Sequence, residues 1–170
     1  MIGGYVLAAE WTRAAAERSP GAVPALVLGG FALILPALFY SATDLGLGTS
    51  KLGLRILGGL AVGAVLLLPA AVRSGAPLLP AGLALAAVAV SIGEEVAFRG
   101  ALYAALDELG GAPVAIVGTA LLWTLAHVLS HPPAFLLAVA AAGLLLALWR
   151  WACKDLVAPI VGHVIADLAL

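Results

Sequence analysis

Apolar runs of bilayer length, separated by charges, set the pattern of this chain. No charged residue lies between Arg18 and Asp44, an interval of 25 positions. Between Arg55 and Arg73 there are 17 uncharged residues, and between Arg73 and Glu94 there are 20. From Leu109 to Trp149 none of the 41 residues is Asp, Glu, Lys or Arg. A helix needs about 20 apolar residues to cross a membrane. The runs therefore predict spans at 22–42, 52–72, 76–106, 112–130, 134–151 and 155–170, with the third interrupted. Turn chemistry falls between them at Thr43–Ser50, Ser74–Pro77, Gly110-Gly111 and Pro132-Pro133. The predicted fold is all-α: a multi-pass transmembrane bundle of about six helices.

Composition strengthens this. Of the 170 residues 64% are hydrophobic and 10% charged, against about a quarter charged in a soluble domain; mean hydropathy is +1.18. Such a chain has too few polar groups to cover a water-facing surface, and its apolar content excludes disorder. With a net charge of −1 and no basic patch, nucleic acid is excluded as a partner, and the lipid bilayer is the expected one. A single cysteine, Cys153, permits neither an internal disulfide nor a cysteine metal cluster. Arg13 and Arg18 follow the apolar stretch Ile2–Ala9 instead of preceding it, which is not signal-peptide order. Residues 1–21 read as an N-terminal interfacial helix or tail and 22–170 as the transmembrane domain. Lys and Arg divide three against four between the two sides, so orientation stays open.

Ionisable groups inside spans are the informative exception, because each is costly there unless paired or hydrated. Three clusters stand out: Glu94-Glu95-Val96-Ala97-Phe98-Arg99; Trp123 to His127, with His131 one turn on; and His163 to Asp167. Glu95 and Arg99 are four apart on one helix face and can pair. Glu94 is turned about 100° away, which leaves it as the available carboxylate. Asp167, four after His163, could orient that ring or share a cavity with it. His131 precedes Pro132 and is expected at a span end. Together these residues supply a base for water, donors for an oxyanion and an acid for a leaving amine, the needs of amide hydrolysis.

The three clusters, in this order and spacing, resemble the CAAX prenyl protease and bacteriocin-processing (CPBP or Abi) family of intramembrane proteases. Glu94-Glu95 with Arg99-Gly100, Trp123 to His127 and His163 to Asp167 carry the likeness, which covers roughly residues 80–170. The resemblance implies an intramembrane endopeptidase with its active-site cavity inside the bundle. Catalytic roles then fall to Glu94 and His127, which activate water, and to His163 and Asp167, which stabilise the oxyanion; Glu95, Arg99 and Trp123 support the site. It implies a membrane-associated protein or peptide substrate, cut near its C-terminus, at a sorting signal or at a leader. Peptide and sorting-signal substrates rank ahead of prenylated ones for a minimal bacterial member. It also implies a multi-pass protein of the cell (inner) membrane. There are two departures: Trp123 stands where the family has Phe, and Asp167 where Asn is usual. A family once classed as metalloproteases keeps zinc open as an alternative, on Glu94, His127 and His163. However, no HExxH motif is present, and the resemblance favours a glutamate mechanism without cofactor. The rival functions are a non-proteolytic membrane scaffold and, less favoured, a small proton or ion transporter. Because a straight helix over 76–106 would be about 45 Å long, a break near Ser91–Gly93 is expected to bring Glu94 to the depth of both histidines.

Overall fold

Apolar segments of bilayer length can satisfy their backbone polar groups within the segment only as helices, and the described residues are helical almost throughout. The computed structural model describes residues 1–17, 21–68 and 79–169, and among these there is no strand. Arg18, Arg73 and the turn expected at Ser74–Pro77 lie outside the described residues.

The helices are α1 (Ile2–Ala16), α2 (Ala22–Ile34), α3 (Leu52–Leu66), α4 (Ala81–Glu95), α5 (Tyr103–Ala126), α6 (Pro133–Cys153) and α7 (Val157–Ala169). Three helical stretches are long and apolar enough to cross a membrane: Ala22–Phe39, Ala81–Leu129 and Pro133–Cys153. Leu52–Leu66 and Val157–Ala169 are shorter apolar helices. The molecule is an all-α bundle of membrane type, as the hydropathy pattern predicts.

The ends of the helices follow local chemistry. Beyond α2, Pro36 lies in a tighter 3₁₀ segment, Leu35–Phe39. Pro133 opens α6, where its missing N–H costs nothing. The Asp155 carboxylate accepts the N–H groups of Val157 (2.9 Å) and Ala158 (3.2 Å) in the first turn of α7. In the loop before α3, the Ser41 hydroxyl donates to Asp44 and accepts the Asp44 N–H. These bonds hold the exposed Asp44 carboxyl below its ordinary pKa.

The 49-residue stretch Ala81–Leu129 is the backbone of the site. α4 passes without a break into a π-helical segment, Val96–Leu102, and then into α5. At Gly111 the backbone turns (φ 74°, ψ −178°), a conformation that glycine adopts without strain. The returning arm lies against the outgoing one: a β-carbon at Gly118 would come within 2.8 Å of Leu106 Cδ1.

The break expected near Ser91–Gly93 is absent, because α4 stays helical through Glu95. Glu94 precedes Gly111 by 17 residues and His127 follows it by 16. Two antiparallel arms of nearly equal length bring both residues to the same depth, so no break is required.

Small residues set the packing. α2 packs on α4 and α3 on α7. A β-carbon at Gly30 would meet the Ala89 carbonyl at 2.5 Å, and one at Gly93 would collide with the carbonyl of Gly30. Backbone therefore touches backbone where α2 crosses α4, as small residues permit between membrane helices. Gly93→Ala is expected to cost about 1–3 kcal/mol, as overpacking does, read as a loss of unfolding free energy in a detergent titration; an unchanged midpoint would contradict the close crossing.

Arg150, between Trp149 and Trp151 near the end of α6, is buried. Its Nε donates to the Arg99 carbonyl (3.1 Å) and its Nη2 to the Asp44 carbonyl (2.6 Å). The π-helical segment is thus tied to the loop before α3.

Candidate active site

Glu94 and Glu95 occupy the last turn of α4, Arg99 the π-helical segment, Trp123 the last turn of α5, and His127 the 3₁₀ turn after it. His163 and Asp167 lie on α7. The structure brings these seven residues together. Glu94, Glu95, Arg99, Trp123, His127 and His163 are all buried, and Asp167 is about one-third exposed at 33%.

The adjacent glutamates point to different histidines. Glu94 Oε2 lies 3.7 Å from His127 Nε2. His127 Nδ1 lies 2.8 Å from the Trp123 carbonyl and donates to it. That bond fixes the ring with Nε2 facing the carboxylate. On the other side, Glu95 Oε1 receives Arg99 Nη1 (2.9 Å) and His163 Nδ1 (2.9 Å). Glu95 is therefore the carboxylate that orients His163. Asp167, which by its spacing could orient that ring or share its cavity, is farther away, with Oδ2 3.5 Å from His163 Nε2. Ser91 Oγ lies 2.7 Å from Asp167 Oδ2 and 2.7 Å from the Ala87 carbonyl, and its one hydrogen serves either.

Trp123 sits among all of these. Its indole N–H donates to Glu94 Oε2 at 2.7 Å, a bond that a Phe at this position lacks. Its ring centroid is 4.6 Å from that of His127 and 5.6 Å from that of His163, both edge to face. The Arg99 guanidinium lies 4.3 Å over the same ring. Gly143 on α6 makes room for the indole: a β-carbon there would come within 2.8 Å of Trp123 Cε3. The Gly143 carbonyl also accepts Arg99 Nη2 at 3.3 Å.

Glu94 is not the unengaged carboxylate that helical geometry suggests. Besides Trp123 it meets Arg13 of α1, whose Nη2 lies 3.4 Å from Glu94 Oε1. Arg13, Glu10, Ser91 and Gly143 were not singled out by the sequence. For α1 a signal exists: Glu10, Arg13 and Glu17 recur at intervals of three and four, one polar stripe on an otherwise apolar helix. Ser91 and Gly143 carry no such signal. His131 lies where expected, in the turn before α6; its ring centroid is 5.2 Å from His127's and it stacks on Phe135. The set Glu94, His127 and His163 is divided, since His163 turns to Glu95. Among the described residues no three His, Cys, Asp or Glu gather as a metal-binding group.

No curated protein and no solved structure matches the chain. Residues 76–169, which hold α4 to α7 and every motif residue, match the family model described as Type II CAAX prenyl endopeptidase Rce1-like. This match covers more than half of the sequence, and the chain belongs to that family of CAAX-type intramembrane proteases.

Proposed function

We propose that this protein hydrolyses a peptide bond near the C-terminus of a membrane-associated protein or peptide, with Glu94 and His127 activating the water. The observation that carries this reading is the buried pair itself: a carboxylate oxygen and an imidazole nitrogen 3.7 Å apart, close enough for one water to hydrogen-bond to both. A water proton passes to Glu94 as the water oxygen bonds to the scissile carbonyl carbon. The tetrahedral oxyanion is met by His163, with Nδ1–H donated to Glu95 and Nε2–H donated to the substrate. Asp167 acts by its charge on the doubly protonated His163 ring, its Oδ2 being 3.5 Å from Nε2, and not on the oxyanion, which an ionised carboxylate would repel. The proton held by Glu94 then moves to the leaving nitrogen as the C–N bond breaks, releasing an acid and an amine. No cofactor takes part. The working location is the cell (inner) membrane.

Co-expression with membrane-anchored candidate substrates tests this, wild type being compared with His127→Asn by mass spectrometry of substrate termini. A new C-terminus formed only by the wild type is expected. Identical termini from both proteins would reject the reading. Peptides of one sequence, with and without a farnesylated cysteine, resolve which substrate class is cut.

A further inference from the structure

The mechanism leaves unused a charge network on α1 and the residue that follows it, buried at Glu10 and Arg13, outside the part of the chain that matches the family model. Arg13 lies at its centre. Its Nε donates to Glu10 Oε2 at 2.9 Å, its Nη2 is 2.8 Å from the same oxygen, and its Nη1 pairs with Glu17. The Nη2 also reaches Glu94 Oε1 at 3.4 Å. Glu10 is fully buried, and its Oε1 has no hydrogen-bond partner. Three carboxylates thus share one guanidinium at the edge of the site.

The way α1 is seated makes this placement specific. Tyr5 donates to the Ala32 carbonyl on α2 (2.7 Å), and Trp11 donates to the Leu125 carbonyl on α5 (3.3 Å). The Arg13 stem runs beside Gly29, where a β-carbon would lie 3.4 Å from Arg13 Cγ. Each of these contacts fixes α1 without the arginine's charge.

The terminal torsion of a glutamate is broad and roughly two-fold. One contact therefore leaves the carboxylate free to turn. Glu94 has a contact at each oxygen: Trp123 at Oε2 and Arg13 at Oε1. With both in place, Oε2 is held toward His127.

Resting on the proteolytic reading above, we propose that Arg13 is a positioning residue of the active site: its guanidinium, itself held by Glu10 and Glu17, fixes the Glu94 carboxylate against His127. The N-terminal helix is then a working part of the enzyme.

The indole N–H of Trp123 donates to Glu94 and reports its placement directly. The full chain is labelled with ¹⁵N-indole tryptophan in lipid nanodiscs, and the Trp123 signal is identified with Trp123→Phe. In Arg13→Met, which keeps the stem and removes the charge, that signal is expected to move. Hydrolysis of the farnesylated or unprenylated peptide is expected to fall about 100-fold in kcat with KM little changed, the order that misplacing a catalytic group by about 1 Å costs. Arg13→Lys is expected to restore much of both. Glu10→Gln, isosteric and expected to fold, loosens the hold on Arg13 and should move the same signal.

An unmoved Trp123 signal in folded Arg13→Met overturns the proposal, and so does Arg13→Lys behaving no better than Met. If Arg13→Met does not fold, an unmoved signal in Glu10→Gln overturns it. Should the signal move while the wild type cleaves neither peptide, the positioning role stands and the proteolytic reading fails.

Discussion

Glu94→Gln is expected to abolish cleavage while leaving the bundle folded. A positioned general base contributes about 10²–10⁴-fold, and the amide cannot take the proton from water. Folding should survive for a reason visible in the charge network. Arg13 keeps Glu10 and Glu17 as partners, so neutralising Glu94 strands no cation. The Gln carbonyl can still accept the Trp123 indole N–H. Product formation by mass spectrometry, together with helical content and thermal midpoint in detergent, measures both halves. Cleavage at the wild-type rate would remove Glu94 from the chemistry. The same variant separates the rival functions: a scaffold is indifferent to it. Ion flux in proteoliposomes that survives Glu94→Gln, with no cleavage product from the wild type, would favour a transporter over a protease.

The second large effect concerns stability. Arg99→Met is expected to cost about 3 kcal/mol, the low end for breaking a buried ion pair, because His163 remains as a partner of Glu95. Arg99 and Glu95 are both fully buried and 2.9 Å apart. Arg99 also serves the Gly143 carbonyl and lies over the Trp123 ring, so its loss also removes support beneath the indole. Adding Glu95→Gln to Arg99→Met should recover part of the stability, because an uncharged partner no longer needs the cation. Unfolding titrations of the two variants check this. A change within about 1 kcal/mol for Arg99→Met alone, well short of that penalty, would show that the pair is not structural.

What can be read from the chain itself has a common physical basis. Lipid forbids charge and open backbone, so the uncharged runs declare the helices and the membrane. Turn residues at Gly110-Gly111 and Pro132-Pro133 declare two of the boundaries. Within a helix, spacing fixes which side chains share a face, so the Glu95–Arg99 pair is legible at four residues. The same logic makes Glu94, His127, His163 and Asp167 conspicuous as costly exceptions.

Contacts between helices are different, because they depend on how each helix is rotated and how deep it sits. Helical spacing shows that Glu94 turns away from Arg99, but the identity of its partners, Trp123 and Arg13, comes from α5 and α1 packing around it. Asp167 is the near neighbour of His163 in sequence, yet Glu95, 68 residues away, takes the histidine at 2.9 Å. The depth of the site follows from the nearly equal arms about Gly111, a turn and a spacing already present in the sequence.

Sequence alone therefore determined the solvent, the helices and the candidate site residues, since these depend on composition and on spacing within one helix. Tertiary structure decided which carboxylate serves which histidine, and that the N-terminal helix reaches the site. Those outcomes depend on side chains from separate helices meeting in one buried, low-dielectric space, where each charge must find a partner.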